Sequence, residues 1–252
     1  MGAPEQVNAI VTGGAVGIGE GVVRRLLDDG LGVVVLDAGR DDLDRLQRDL
    51  DTDRLVPVHG DVATAASWQH AVDACHAHLG PVGALVNNAG ISPKRDGVKV
   101  PGRDIALEEW QRVLAVNLTG AFLGTQAVVP DMAAAGWGRI VNMSSQAGRT
   151  STIVAGVHYG ATKTGIIGLT RAFAGELAAD GITVNAVAPG KIETPMMRGA
   201  VPEANESFLR GIPVGHFGRP EDVAAVVSFL VGPEAGFVTG ATIDANGGSF
   251  MG

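Results

Sequence analysis

The sequence predicts an α/β protein built on a doubly wound parallel sheet. Short runs of Val, Ile and Leu alternate with longer segments of helical periodicity along the whole chain. The runs are apolar throughout, so the strands should be buried on both faces, as in a parallel sheet covered by helices. Hydrophobic residues make up 46% of the 252 residues, and 37 glycines favour many tight turns between regular elements.

Each strand is assigned to a continuous apolar run, and the helices to the longer periodic segments between them. The predicted strands cover residues 8–11, 32–36, 55–58, 84–86, 140–143, 183–187 and 242–244. The predicted helices cover residues 18–29, 41–50, 65–79, 107–135, 159–179 and 220–230. No linker, repeat or charge block divides the chain, so we expect one domain over residues 1–252.

Two segments rich in Gly and Pro, 92–104 and 191–217, fit neither pattern. Long loops in compact domains are usually functional or mobile. We expect residues 191–217 to form a lid over a substrate.

Composition and charge exclude several classes of function. The formal net charge is −8 and no Lys/Arg stripe is present, which argues against nucleic acid and anionic membranes as partners. The single Cys75 excludes an internal disulfide and is best explained as core filling. Residues 1–6 lack a basic leader, and no continuous apolar stretch reaches about 18 residues. We therefore expect a cytoplasmic protein, and we expect no metal site.

A glycine-rich turn follows the first predicted strand and opens the first predicted helix. Residues 12–19 read TGGAVGIG. Glycine lets the backbone approach a pyrophosphate at the positive helix N-terminus, so this context favours a Rossmann-like dinucleotide site over a simple turn. The expected cofactor contacts here are Gly13, Gly17, Ile18 and Gly19.

A carboxylate ends the second predicted strand, about 20 residues after the turn. Asp37 can accept hydrogen bonds from the hydroxyls of an adenosine ribose, whereas a 2′-phosphate would meet like charge. Arg40 lies nearby and could meet such a phosphate, and an Asp here can also serve only as a cap or turn residue. The sequence favours NAD over NADP.

The order of the motifs resembles the short-chain dehydrogenase/reductase family. After the Gly-rich turn and Asp37 come Asn87-Asn88-Ala89-Gly90, Ser145, Tyr159 with Lys163, and Pro189-Gly190. The resemblance runs from about residue 8 to residue 248 and is closest to the compact branch of the family. The divergent enoyl reductases place their lysine farther from the tyrosine, so the four-residue spacing argues against them.

The resemblance implies further cofactor contacts. Asp61 and Val62, after the third strand, would contact adenine. Asn88, Ala89 and Gly90 would border the adenine ribose and also support the sheet. Pro189, Gly190, Ile192 and Thr194 would hold the nicotinamide, the last two through the Ile192 backbone and the Thr194 hydroxyl.

The only tyrosine of the chain, Tyr159, precedes Lys163 by four residues, which places the two on one helix face. A nearby cation lowers the pKa of a phenol, so this pair can exchange a proton near neutrality, although the spacing alone also occurs by chance. The resemblance implies that Tyr159 transfers the proton and Ser145 steadies the developing oxyanion, with Ser144 as the alternative serine. It also implies that Lys163 holds the nicotinamide ribose, while Asn117 holds a water in the proton relay.

The expected reaction transfers a hydride between NAD(H) and a secondary alcohol or ketone. Candidate substrate-lining residues are Ser92, Gln146, His158, Met196 and Met197. The basic residues Lys94, Arg95, Lys99, Arg103 and Arg149 either read an anionic substrate or are solvated loop charges.

Two other functions stay open. One is an NADPH-dependent 3-oxoacyl-acyl-carrier-protein reductase. The resemblance implies that those reductases dock an acidic carrier protein on basic residues where this chain has Gly136 and Asp180, and the net charge of −8 would repel that carrier. The other is a non-catalytic dinucleotide sensor or scaffold on the same fold. The resemblance also implies a homotetramer, assembled through the helices predicted at 107–135 and 159–179 and through residues 239–244.

Overall fold

A seven-stranded parallel sheet organises the computed structural model, which describes residue 4 and residues 6–151, 154–194 and 209–252. Its order is β3-β2-β1-β4-β7-β8-β9, and each pairing is parallel. These strands are β1 (Asn8–Thr12), β2 (Gly32–Asp37), β3 (Leu55–His59), β4 (Val82–Asn87), β7 (Gly138–Met143), β8 (Ile182–Pro189) and β9 (Thr242–Ala245). The chain builds outward in one direction from β1 and in the other from β4, so a topological switch point lies between these two strands.

Seven α-helices connect the strands of the described chain. They are α1 (Gly17–Asp28), α2 (Arg40–Leu50), α3 (Ala65–His78), α4 (Leu107–Leu114), α5 (Gly120–Ala135), α6 (Val157–Leu177) and α7 (Pro220–Val231). The doubly wound parallel fold predicted from the sequence is confirmed, and the observed elements begin and end within about three residues of the predicted ones.

The core consists of two apolar layers, one on each face of the sheet. Val11 and Val35 point into the layer beneath α1, α2 and α7. Ile10 and Val34 point the opposite way, into the layer beneath α3, α5 and α6, where Trp68 is buried. This alternation explains why every residue of β1 is buried, and why its three central residues, Ala9, Ile10 and Val11, are all apolar.

The long helix predicted at 107–135 is continuous in direction but not in hydrogen bonding. A π-helical segment, Ala115–Thr119, separates α4 from α5. A π segment shifts the helix face by one residue, and such segments occur frequently at functional sites. Asn117 lies in the middle of it.

The same helical run, Leu107–Ala135, is long and apolar enough to span a membrane by length and composition alone. Polar residues interrupt this run, so it is not a continuous apolar stretch in the sequence. In the fold, α5 packs against β4, β7 and α3, as a core helix does.

The segment 92–104, which had no predicted structure, contains a small hairpin. Strands β5 (Lys94–Arg95) and β6 (Val98–Lys99) pair antiparallel. The two residues between them, Asp96 and Gly97, have φ angles of 51° and 76°. Positive φ at both positions defines a tight turn that Asp-Gly sequences favour.

Helices α3 and α5 approach closely because Gly124 has no side chain. A Cβ at this position would lie 2.6 Å from Cζ2 of Trp68 and 2.9 Å from Oδ1 of Asn87. We predict that Gly124→Ala lowers the free energy of unfolding by about 2 kcal/mol, because the buried indole must move. Gly175→Ala in α6, with nothing within 4 Å of its Cβ, should stabilise by about 0.5–1 kcal/mol. Urea unfolding measures both, and equal effects would contradict this packing.

Candidate active site

A cleft of about 660 Å³ opens beside the carboxyl ends of the strands, where α/β sheets bind ligands. The structure brings the predicted cofactor residues together on its wall. Those lining it are Gly13, Gly17, Ile18, Gly19, Asp37, Asp61, Val62, Asn88, Ala89, Gly90, Tyr159, Lys163, Pro189, Gly190, Ile192 and Thr194. Ser145 also lines the cleft, whereas Asn117 is buried behind it.

The Gly-rich turn forms one end of the cleft. Gly13 and Gly17 have φ angles of 61° and 60°, which only glycine adopts without strain. A Cβ at Gly13 would lie 2.9 Å from the Ala89 backbone, so glycine is also needed for close packing. Val16 precedes α1 without supplying a side-chain cap. The first N–H groups of α1 are therefore available to an anion, and the turn fits a dinucleotide pyrophosphate.

Thr12 and Asn88 clamp this turn to the end of β4. The Thr12 hydroxyl oxygen accepts hydrogen bonds from the backbone N–H groups of Asn88 and Ala89, both at 3.0 Å. The Asn88 side chain donates to the carbonyl oxygens of Thr12 and Gly13, both at 2.9 Å. Sequence reasoning missed Thr12; its position at the end of a strand, directly before the first Gly, was the available signal.

Asp37 lies at the end of β2, beside the Gly-rich turn. One carboxylate oxygen accepts from the Ala15 N–H at 3.0 Å, and the other accepts from the Gly39 N–H at 2.9 Å. The carbonyl oxygen of Ala15 accepts from Arg45 at 2.6 Å. Asp37 is therefore held in place on the cleft wall, and each of its oxygens retains a lone pair for a further donor.

Asp61, expected near adenine, also makes an ion pair. Arg112 donates to one carboxylate oxygen at 2.7 Å, and the Ala63 N–H donates to the other at 3.0 Å. Burial acts to raise the pKa of Asp61, but these two donors together hold it below its ordinary value. Asp61 is thus charged at neutral pH and fixed against α4.

Asn117 links the end of β4 to the helix that carries Tyr159. Its side-chain oxygen accepts from the Ile91 N–H at 2.8 Å, and its nitrogen donates to the Ile91 carbonyl at 3.0 Å. The same nitrogen donates to the Thr162 hydroxyl at 3.1 Å, and this hydroxyl donates to the Tyr159 carbonyl at 2.9 Å. The π segment orients the Asn117 side chain toward Ile91 and Thr162, so Asn117 joins the loop after β4 to α6 in the described structure.

The two adjacent serines differ in their environment. The Ser144 hydroxyl is buried and donates to the Lys163 carbonyl oxygen at 2.7 Å. The Ser145 hydroxyl accepts from the Ala147 N–H at 3.1 Å, and it lies near enough to the Tyr159 phenol to lower the pKa of that phenol. Ser145 therefore presents its hydroxyl at the reactive end of the cleft, while Ser144 supports the helix.

Lys163 lies almost entirely inside the protein, with its amine 5.6 Å from the centre of the Tyr159 ring. The amine donates to the Met143 carbonyl oxygen at 2.6 Å. Burial lowers its pKa from the ordinary 10.5 to about 8. Burial raises the pKa of Tyr159, and the Ser145 side chain acts in the opposite direction. The expectation that Lys163 lowers the phenol pKa is therefore wrong for the protein without nucleotide, because the two groups are desolvated together.

His158 does not line the substrate space, contrary to expectation. Its side chain is fully buried, with Nε2 3.1 Å from a Glu109 carboxylate oxygen. The Tyr159 N–H donates to Nδ1 at 2.7 Å, so Nδ1 carries no proton and Nε2 donates to Glu109.

The other predicted substrate residues have different positions. Arg149 forms an ion pair with Asp244 at 3.1 Å. Ser92 and Gln146 do line the cleft. Met196 and Met197 lie outside the described residues, as does most of the predicted lid.

The doubly wound sheet, the open N-terminus of α1 and the group of Ser145, Tyr159 and Lys163 define a class, the dinucleotide-linked oxidoreductases. Comparison with known proteins agrees. A family model described as enoyl-(acyl carrier protein) reductase matches residues 13–249.

Relatives of this chain match it over nearly its full length. An acetoacetyl-CoA reductase of Rhizobium meliloti is 43% identical over 246 residues, covering 96% of this chain and 98% of the relative. A 3-oxoacyl-acyl-carrier-protein reductase of Thermotoga maritima is 39% identical, covering 95% and 96%. The crystal structure of a 3-oxoacyl-acyl-carrier-protein reductase with bound NAD from Brucella melitensis has a TM-score of 0.91 at 38% identity, covering 98% and 93%. The chain belongs to the short-chain dehydrogenase/reductase family.

The depressed pKa of Lys163 predicts a stability signature. Below about pH 8 the amine is protonated in both the folded and unfolded states, and folding buries a charge. As the pH rises from about 8 toward 10, the folded state has released its proton and the unfolded state has not, so stability increases. Relative to Lys163→Met, the free energy of unfolding should rise by roughly 2–3 kcal/mol over this interval in urea titrations. A constant difference between the two proteins would contradict the buried amine.

Proposed function

We propose that this protein transfers a hydride between NAD(H) and a secondary alcohol or ketone. The observation that carries the proposal is the grouping of Ser145, Tyr159 and Lys163 in the same cleft as the Gly-rich turn, with the lysine amine 5.6 Å from the centre of the tyrosine ring. The nicotinamide cofactor would supply the hydride acceptor or donor. The protein would supply orientation, proton transfer and exclusion of water.

Tyr159 is proposed to exchange the hydroxyl proton of the substrate. As a carbonyl is reduced, its oxygen gains negative charge, which a phenol O–H and a serine O–H can both stabilise by donation. Ser145 is placed for the second donation because it lies near the phenol. Lys163 would hold the nicotinamide ribose, and its charge would favour the phenolate once the nucleotide is bound.

Asn117 is proposed to support a proton relay from its position in the π segment. Its oxygen and nitrogen atoms are engaged by Ile91 and Thr162 in the described structure. The amide oxygen retains one lone pair, which a water can use. Beyond that, Asn117 keeps α6 in register with the end of β4, and so keeps Tyr159 facing the cleft.

The role of Tyr159 is tested by substitution together with the two serines. Tyr159→Phe removes the proton donor, and Ser145→Ala removes the second hydrogen bond, so kcat with a reducible ketone should fall about 10²–10⁴-fold for each. Ser144→Ala should leave kcat within about threefold and lower stability by about 1 kcal/mol.

The assay should cover a panel of ketones and secondary alcohols with both nucleotides. Nucleotide affinity, measured by fluorescence, serves as the control for folding. Persistence of activity in Tyr159→Phe would contradict the proposed role. Nucleotide binding without turnover of any panel member would instead favour a sensor or scaffold.

NAD is the proposed cofactor because Asp37 stands on the cleft wall with two backbone N–H groups fixing its carboxylate. A fixed anion can accept from both ribose hydroxyls but repels a 2′-phosphate. Arg40 is engaged at 3.3 Å by His59, so it is directed along the surface of the protein.

Asp37→Asn removes the charge and keeps the shape of the side chain. We predict that the ratio of kcat/KM for NAD to kcat/KM for NADP falls at least about tenfold in this variant, mainly through the KM for NADP. Asp41→Asn, in the first turn of α2, is the matched control and should change the ratio by less than about twofold. A wild-type ratio that favours NADP would overturn the assignment.

A second candidate is reduction of a 3-oxoacyl thioester, favoured by the names of the relatives. A coenzyme A thioester suits this chain better than a carrier-protein thioester. Asp180 is exposed after α6 and Gly136 ends α5, so neither position offers a cation to an acidic carrier. The ketone panel should therefore include acetoacetyl-CoA.

We also propose that the chain works in the cytoplasm as one domain, with a lid at residues 191–217, and assembles as a homotetramer. An apolar groove between α5 and α6 supports assembly. It is lined by Leu118, Thr119, Phe122, Gly165, Gly168, Leu169 and Ala172. The stacked rings of Phe122 and Phe173 extend it, and small residues allow another helix pair to approach. Sedimentation analysis measures the state directly.

A further inference from the structure

Three lysines from two separate segments of the chain line the cleft. Lys94 and Lys99 belong to the hairpin of β5 and β6, and Lys191 follows β8. Each lines the cleft and is partly buried. They are three of only 19 basic residues in a chain of net charge −8, so their convergence runs against the acidic character of the whole protein.

The hairpin places two of these charges side by side. Lys94 and Lys99 are directly paired across the strands, so their side chains project from the same face. Arg95 alternates to the opposite face, where it lies 3.4 Å from Glu109. Like charges directly opposite each other destabilise a hairpin. The tight Asp96-Gly97 turn fixes the strand register in which Lys94 and Lys99 face each other, so the hairpin forms despite this repulsion.

Lys191 brings the third charge from a different part of the chain. Like Lys94 and Lys99, it lines the cleft. Burial lowers its pKa, and the positive charge of Lys94 lowers it further. Two independent segments thus direct positive charge into the same cleft. Repulsion of this kind is relieved when an anion binds between the amines.

We infer that the ketone substrate carries an anionic group, a carboxylate or a phosphate, which binds among Lys94, Lys99 and Lys191. This inference rests on the proposed function, because it assigns the pyrophosphate of the nucleotide to the Gly-rich turn and leaves the lysines to the substrate. The lysines are then specificity-determining residues: they orient the substrate by its charged end and leave its carbonyl to Ser145 and Tyr159.

The test compares substrates that differ only in charge. For the carboxylate, 4-oxopentanoate is compared with its methyl ester. For the phosphate, the acetoacetyl thioester of 4′-phosphopantetheine is compared with that of pantetheine, which lacks only the phosphate. The charged member of at least one pair should have a KM about tenfold lower than its neutral partner, and this advantage should shrink as salt is raised from low to high ionic strength. The pair that responds identifies the anion.

Lys94→Gln and Lys99→Gln remove one charge each and keep most of the side chain. Each should raise the KM for the charged substrate about fivefold to tenfold, with kcat, the KM for the neutral partner and the KM for NADH within about twofold of wild type. Lys94→Arg should restore most of the loss. Arg103→Gln is the matched control, because this arginine is in the same loop but 87% exposed, and it pairs with Asp104 at 3.7 Å.

The outcomes separate this inference from the proposed function. Turnover of ketones without any preference for charge, or equal effects of Lys94→Gln on both members of a pair, would overturn the lysine site and leave the oxidoreductase intact. A rise in the KM for NADH alone would assign the lysines to the nucleotide phosphates and also overturn it. Failure to reduce any ketone would overturn the proposed function, and calorimetric binding of the same pairs to wild type and Lys94→Gln would then decide the lysine site by itself.

Discussion

The parallel pairing of β1 with β4 is the constraint on which the rest of the structure depends. Helices leave these two neighbouring strands in opposite directions, so their loops separate and open the cleft between them. The Thr12 hydroxyl and the Asn88 side chain then fix the loop after β1 and the loop after β4 relative to each other through four hydrogen bonds of 2.9–3.0 Å. These bonds hold the Gly-rich turn against the end of β4, where a Cβ on Gly13 would lie 2.9 Å from the Ala89 backbone.

Burial acts on the reactive groups in a direction opposite to the one their spacing suggests. Tyr159 and Lys163 share a helix face, but both are desolvated, so each is pushed toward its neutral form. Their neighbours supply the compensation: the Met143 carbonyl accepts from the amine at 2.6 Å, and Ser145 acts to lower the pKa of the phenol. Both groups are therefore biased toward their neutral forms, and the positive charge that would favour the phenolate would come from the oxidised nucleotide. In the proposed reaction, proton transfer by Tyr159 would then depend on cofactor binding.

Much of the fold could be predicted from the sequence, because buried parallel strands carry a plain apolar signal. The seven strands, the Gly-rich turn and the position of Asp37 all follow from local residue types. The π segment at Asn117 could not be predicted, because the shift in hydrogen bonding is stabilised by Ile91 and Thr162, which are distant in sequence. The predicted lowering of the Tyr159 pKa was not found for a similar reason, since sequence spacing shows that Lys163 is near but not that both side chains are buried.

The hairpin at Asp96-Gly97 and the burial of His158 could both have been predicted from the sequence. The Asp96-Gly97 pair between short extended segments is typical of a tight hairpin, and it would have placed Lys94 opposite Lys99. His158 was expected on the cleft wall, but it is adjacent to Tyr159 on α6, and adjacent residues on a helix point in different directions. Its burial against Glu109 shows that neighbours in sequence are poor guides to which side chain reaches a ligand.

The most direct test of the account uses the fact that Tyr159 is the only tyrosine in the chain. The ultraviolet difference spectrum of its phenolate can be titrated with and without NAD, and with Lys163→Met as a control. We predict that the pKa of the Tyr159 phenol lies above the ordinary value of 10 in the free protein, because of burial, and falls well below 10 when NAD is bound. The fall should be much smaller in Lys163→Met. A pKa that stays near 10 in every case would contradict the assignment of Tyr159 as the proton-transfer group.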